Sequence, residues 1–386
     1  MEYFSNFSDK PTTIQEDLYQ WFDLSENPRL LFGNPYFSIT QTFDKYPYII
    51  DEEIQNLPRE TLRKNTNVSF KEHRYSSSGC MIRFKTSAKQ IVLKAELKRK
   101  WDFQVMNLYN SSGFDIYSYN PNTQTYQHIT VTAPKSGQNC FLETICIFTN
   151  CETVIFLPTY NKIINLKIGI PQSETLEFVD EFSNYLPIAF YGNSITQGAG
   201  ASRSGNIFCN IVSRQLNTEV YNYSISGGAV GFRSIAKELA KLNLSAIVMD
   251  YSRNADRPDF LEKTYCDFYR ILRKSHPNIP IILLTCSNFS CLQGYILFDN
   301  VIRQVHQQAL KDHENTYLLN QMDLFEQSEY DLCCVDSSHY NDYATFKIAS
   351  EITRILLSDF QKHTVKFNPH LLQSKKYTAK KQRKRK

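Results

Sequence analysis

The chain has 386 residues, 42% of them hydrophobic and 21% charged, a balance that fits a soluble globular protein with room for two ordinary domains. Its net charge of +4 is unevenly placed: residues 375–386 hold eight Lys or Arg and no acid, so the rest of the chain is acidic. The N-terminus lacks the basic start and apolar core of a secretory signal, and no stretch reaches the length of a membrane-spanning helix; with many unpaired cysteines besides, we expect a cytoplasmic chain.

Residues 1–70 are mixed, with Pro35, Pro47 and Pro58 interrupting any long helix, and read as a segment that wraps the second domain. From Gly79 to Ile170 short apolar or alternating runs predict strands at 81–84, 91–97, 103–108, 114–119, 126–131, 144–148, 153–157 and 163–170. Polar turns such as Asn120-Pro121-Asn122 separate them. Short strands at such spacing predict an all-β sandwich, and Pro171 to Ser183 reads as a linker.

The rhythm then changes to strand–helix alternation. Strands are predicted at 186–190, 219–224, 245–251, 279–286 and 316–321, and helices at 204–216, 230–242, 257–275, 295–313 and 342–357. In the first of these helices Ile207, Phe208, Ile211, Val212 and Leu216 share one face. Five such units predict a parallel five-stranded sheet covered on both sides. The expected domains are therefore residues 1–175, residues 184–360 and a disordered basic tail, 361–386. The tail suits electrostatic contact with an anionic surface, beside the plainer reading of a solvated end.

Ten cysteines include no Cys-x-x-Cys pair and read as small buried hydrophobes. Neither they nor the eight histidines form a ligand cluster, so zinc is not expected.

The chemistry concentrates in two stretches. Tyr191-Gly192-Asn193-Ser194-Ile195-Thr196-Gln197-Gly198 follows the apolar run 186–190 and precedes a helix, which puts Ser194 on a tight turn at the rim of the sheet. Asp336-Ser337-Ser338-His339 sets a carboxylate three residues before a histidine, just ahead of another helix. Serine is a poor nucleophile without a base beside it. His339 can be that base, and Asp336 can fix its tautomer. The first stretch lacks the Gly-Lys-Ser/Thr ending of a nucleotide loop, and Thr196 stands where a Gly-x-Ser-x-Gly elbow needs its second glycine.

These residues resemble the SGNH, or GDSL-type, hydrolases, whose functional residues lie in four blocks in this order along 186–358. Residues Gly192 to Gly198 match the nucleophile block. Asn222-Tyr223-Ser224-Ile225-Ser226-Gly227-Gly228 matches the glycine block, Asp250-Tyr251-Ser252-Arg253-Asn254 the asparagine block, and Asp336 to His339 the acid–histidine block. The runs Ser78-Gly79-Cys80-Met81-Ile82-Arg83-Phe84-Lys85-Thr86 and Gly113-Phe114-Asp115-Ile116-Tyr117 are similar to the β-sandwich companion domain of one branch.

The resemblance implies an α/β, flavodoxin-like SGNH hydrolase domain preceded by a jelly-roll-like sandwich. It implies Ser194, His339 and Asp336 as catalytic residues and an oxyanion hole made by the backbone N–H groups of Ser194 and Gly227 with the Asn254 amide. It further implies hydrolysis of small O-acyl esters, acetyl on carbohydrate above all, with a small-molecule or glycan ester as substrate and no metal or organic cofactor. Acyl transfer through the same serine, or a glycan-binding protein whose second domain has lost activity, are alternatives. Three departures bear on the site: Asn193 replaces the family's aspartate beside the nucleophile, Ser337 replaces a glycine and Tyr340 a proline, which puts the aim of His339 in question.

Overall fold

The computed structural model describes residues 14–47, 66–99, 106–149, 151–179, 185–286, 289 and 295–362. The N-terminal half is built on strands β1 (Tyr19–Asp23), β2 (Leu31–Phe32), β3 (Met81–Thr86), β4 (Gln90–Leu97), β5 (Phe114–Asn120), β6 (Thr125–Thr132), β7 (Cys140–Cys146), β8 (Glu152–Phe156), β9 (Ile163–Pro171) and β10 (Leu176–Phe178). They form one antiparallel sheet in the order β1-β9-β4-β7 and a second in the order β10-β3-β8-β5-β6, with β2 pairing on β3. Short helices α1 (Phe37–Thr40), α2 (Thr66–His73) and α3 (Leu108–Ser111) lie between strands.

Alternation along the strands explains the layering. Ile82, Phe84, Ile116 and Ile155 of one sheet meet Ile91, Leu93, Leu166 and Ile168 of the other in the sandwich core. The opposite face of β3, β5 and β8 carries Met81, Tyr117, Tyr119, Val154 and Phe156, and it too is buried. That second face packs on the α/β half. Arg83 pairs with Glu152 and reaches Asn217, which also takes a hydrogen bond from Tyr126 at 2.7 Å.

In the α/β half β11 (Ile188–Gly192), β12 (Val220–Asn222), β13 (Ala246–Asp250), β14 (Ile281–Leu284) and β15 (Thr316–Leu319) form a parallel sheet in the order β12-β11-β13-β14-β15. The helices are α4 (Ser194–Gln197), α5 (Phe208–Leu216), α6 (Arg233–Leu239), α7 (Pro258–Ser275), α8 (Ile296–Lys311) and α9 (Asp342–Lys362). Period-two alternation again sets the layers. Ala189, Tyr191, Ile247, Met249, Ile281 and Leu283 face α6, α7 and α8, while Ile188, Phe190, Val248, Ile282 and Leu284 face α5 and α9. Burial on both faces is why these strands read as continuous apolar runs. The chain leaves β11 for β12 on one side and later fills β13 on the other, so the end of β11 is the topological switch point of the sheet.

In the part described, residues 1–70 supply β1 and β2 to the sandwich sheets and also reach across to the α/β half. Buried Lys45 donates to Ser78 O at 2.5 Å and to Asn222 O at 2.6 Å, tying the two halves together, and Phe70 joins the core under α6.

The structure corrects three expectations. Of the strand predicted at 103–108 only 106–108 is described, and there Asn107 caps α3 by accepting from the Asn110 N–H at 2.9 Å, so Leu108 opens a helix. The linker reading of 171–183 missed β10, whose Leu176–Phe178 pairs with β3. Cys140 and Cys146 are exposed on the edge strand β7 rather than buried, whereas Cys80, Cys209, Cys286 and Cys333 are buried. The helix predicted at 295–313 is present as α8, and Ile296 and Leu297 at its start are 58% exposed. The basic run 375–386 lies outside the described residues, and no described helix is long and apolar enough to cross a membrane.

Candidate active site

Ser194 follows directly on the switch-point strand. Asn193 ends the extended run and caps α4, its side-chain oxygen accepting from the Ile195 N–H at 2.7 Å. Its amide also donates to Asp250 O at 2.8 Å, as does its own backbone N–H at 3.0 Å. An aspartate there would keep the cap and lose the donor facing a buried carbonyl, which is the physical reason an asparagine fits this sequence.

Ser194 Oγ lies 3.0 Å from His339 Nε2, and His339 Nδ1 lies 2.8 Å from Asp336 Oδ2. The other Asp336 oxygen accepts from the N–H groups of Ser338 and His339, at 2.6 and 2.7 Å. Partial burial acts to raise the Asp336 carboxyl. The hydrogen bonds from the His339 ring and the two N–H groups outweigh it and hold the carboxyl below its ordinary value. An ionised Asp336 accepts a hydrogen bond from the His339 Nδ1–H, which leaves the Nε2 lone pair toward the serine hydroxyl.

The departures at 337 and 340 leave this aim intact. Ser337 is exposed at the tip of the loop. Tyr340 is buried in the core under α9, donates to Gln321 Oε1 at 2.6 Å, and bridges back to Cys334. Gly200, at φ +91°, lets the loop after α4 press on the same segment: a Cβ there would stand 2.3 Å from Tyr340 O.

The glycine and asparagine blocks follow the strands on either side of β11. Gly227 is half-buried at φ +65°, a conformation that favours glycine. Its loop is fixed to the nucleophile turn by the Ile225 N–H donating to Gly192 O at 3.0 Å and the Ser226 N–H donating to Gln197 Oε1 at 2.7 Å. Asn254 closes a short 3-10 helix after β13, is buried, and points its amide at Ile225 O, 3.3 Å away. The loops carrying Ser194, Gly227 and Asn254 are thus joined directly to one another.

Several site residues were not foreseen in the sequence. Asp250, at the end of β13, is fully buried behind the nucleophile turn, takes a hydrogen bond from Thr196 Oγ1 at 2.7 Å, and is approached by Gln321 Nε2 at 3.4 Å. Arg253 donates to Ser338 Oγ at 2.6 Å and lies 4.9 Å over the Tyr295 ring, joining the asparagine block to the histidine loop. Asp115, in the Gly113–Tyr117 run of the sandwich, is buried and accepts from Arg203 and the Gly205 N–H at 2.7 and 2.8 Å, holding the loop after the nucleophile turn. Asp250 and Arg253 stand in the asparagine block and Asp115 in the Gly113–Tyr117 run, but their roles come from partners across the fold, which the motifs do not show.

Burial pushes the Asp250 carboxyl up to about 7, and burial likewise raises Glu219 to about 7. Ordinary values are 3.8 and 4.5. Folded pKa values above unfolded ones mean that the native state binds the extra protons. Stability is then greatest below about pH 4 for these groups and falls as pH rises toward 7. Thermal unfolding should show Asp250→Asn gaining on the wild type between pH 5 and pH 8. A gap that stays constant over that range would mean Asp250 titrates normally.

Residues 186–357 match the profile of the GDSL-like lipase/acylhydrolase family, and residues 45–176 match that of the GxDLY domain, the N-terminus of SGNH-hydrolase-type esterases. No curated protein sequence matches the chain. Among solved structures, a protein described as a GDSL-like lipase from Bacteroides ovatus ATCC 8483 is similar at 22% identity and a TM-score of 0.74, over 89% of this chain and 98% of that one. The salicylyl-acyltransferase SsfX3 of a tetracycline biosynthetic pathway is similar at 14% identity and a TM-score of 0.64, over 82% and 90%. A family two carbohydrate esterase from Clostridium thermocellum, solved with cellohexaose, is similar at 10% identity and a TM-score of 0.54, over 74% and 93%. At these identities the neighbours establish the fold.

Proposed function

For a chain that belongs to the GDSL-like lipase/acylhydrolase family and is a hydrolase of the SGNH type, we propose hydrolysis of small O-acyl esters, acetyl esters of carbohydrate above all, through an acyl-serine intermediate. The observation that carries it is the hydrogen-bonded line Ser194 Oγ–His339 Nε2 and His339 Nδ1–Asp336 Oδ2 at the end of β11.

His339 takes the Ser194 proton as the oxygen attacks the ester carbonyl, and Asp336 stabilises the imidazolium. The backbone N–H groups of Ser194 and Gly227 and the Asn254 amide receive the oxyanion. His339 returns its proton to the leaving alcohol. A water activated by the same histidine then releases the acid, and an alcohol in its place makes the reaction an acyl transfer. The domains serving this are the sandwich, 1–175, and the hydrolase unit, 184–360.

The polar loop 199–206 favours a short acyl group. Exposed Ile296 and Leu297, next to the Tyr295 that carries Arg253, favour a second reading with a longer chain. Each buried methylene contributes about 0.8 kcal/mol, so the two readings diverge sharply with length. We expect kcat/KM to fall from 4-nitrophenyl acetate through butyrate to octanoate, measured below micelle-forming concentrations. Octanoate matching or exceeding acetate would retire the acetyl assignment in favour of a lipid or thioester substrate.

A further inference from the structure

We propose that Asp115, on strand β5 of the sandwich half, is a positioning residue that sets the aim of His339 through loop 199–206; the role rests on the esterase reading above. Asp115 is 0% exposed, and both of its carboxylate oxygens are in use. Oδ2 accepts from Arg203 Nη1 at 2.7 Å and from the Gly205 N–H at 2.8 Å, and Oδ1 lies 3.0 Å from His128 Nε2. Arg203 also donates to the Tyr117 hydroxyl, from the same strand. A carboxylate buried in the sandwich thus grips a loop of the α/β half through a charge-assisted pair.

The same loop lies against the segment of the catalytic histidine. Asp342, just beyond His339 at the start of α9, accepts from the Ser202 N–H at 2.8 Å and from the Asn206 amide at 2.7 Å. Gly200 is seated against the backbone of His339 and Tyr340: a Cβ on it would stand 3.1 Å from the His339 carbonyl carbon and 2.3 Å from Tyr340 O. Loop 199–206 is therefore wedged between Asp115 and His339. The nucleophile turn does not depend on this grip. Asn222 donates to Thr196 O at 2.9 Å, Ser78 to Gln197 O at 2.6 Å and Asn110 to Gly198 O at 2.7 Å, while Thr196 Oγ1 donates to Asp250. Releasing the loop from Asp115 thus moves the base relative to a nucleophile that stays in place. Proton transfer depends on that distance, and substrate binding does not.

The test uses the full chain with Asp115→Asn, which keeps the size of the side chain and removes the charge that holds Arg203. We expect kcat for 4-nitrophenyl acetate to fall about 10-fold with KM within about twofold of the wild type. Arg203→Gln cuts the same pair from its more exposed end and should give a similar loss. It also carries the test should Asp115→Asn fail to fold. A further arm adds Asp115→Asn to His339→Ala: with no ring left to aim, the residual rate should change by less than about twofold. A loss as large in that background as in the wild type would place the effect elsewhere and overturn the proposal. So would a kcat that holds while the melting temperature drops, which would make Asp115 a packing residue. Labelling of Ser194 by a fluorophosphonate probe needs the histidine but no ester, and should slow in parallel with kcat. Wild-type chain that labels yet hydrolyses no ester would retire the esterase reading, and the labelling rates of the same variants would then decide Asp115 by themselves. Wild-type chain that does neither would retire both.

Discussion

Ser194→Ala is expected to lower ester hydrolysis by on the order of 10³-fold or more, with the melting temperature unchanged. The hydroxyl makes a single strong contact, to His339 Nε2 at 3.0 Å, and Ser194 is only half-buried, so its removal leaves no cavity and no buried orphan. The turn is held by other atoms: the Asn193 cap and the side chains on the α4 carbonyls are all untouched by the change. What remains after substitution is whatever the oxyanion donors and substrate binding supply without a nucleophile. The measurement is kcat/KM on 4-nitrophenyl acetate together with thermal unfolding of the same preparation. Retention of more than about a tenth of the wild-type rate would remove Ser194 from the mechanism.

His339→Ala is expected to cost nearly as much, and the double variant little more than either single one. A nucleophile and its base act as a unit, and a unit is lost once. Losses that simply multiply would show that the 3.0 Å contact between them plays no part in turnover. Asp336→Asn should cost less than either. It leaves base and nucleophile in place, but it removes a carboxylate that accepts at once from the ring Nδ1 and from the N–H groups of Ser338 and His339. Part of its effect will therefore come through the shape of the loop.

The sequence was legible where structure repeats locally. The strands of the α/β half lie inside the predicted spans or within two residues of them, because a parallel strand buried on both faces is a continuous apolar run. The one-face pattern of Ile207, Phe208, Ile211, Val212 and Leu216 likewise corresponds to five buried residues in or beside α5. Ser194, His339 and Asp336 were legible as short motifs, and the fold brings them together.

What the sequence hid was of two kinds. Short pieces such as β2 and β10 exist only by pairing with β3, and three-residue segments such as Leu176–Phe178 carry too little pattern of their own. Side chains such as Asp250, Arg253 and Asp115 gain their roles from partners distant in sequence, Asp115 from Arg203 and Gly205 in the other half of the chain.

The doubly buried sheet of the sandwich also bears on how the chain is made. Synthesis delivers the N-terminal half first, at roughly 5–20 residues per second. During that interval Met81, Tyr117, Tyr119, Val154 and Phe156 have no α/β surface to meet, and the Lys45 ammonium has one of its two carbonyl partners, Ser78, but not Asn222. The nascent sandwich therefore carries a wet aromatic face and a half-satisfied lysine until the ribosome has passed β12. These groups are covered only once the second half has been made, so the interval between the two halves is the stage at which this face is open to a chaperone or to another chain.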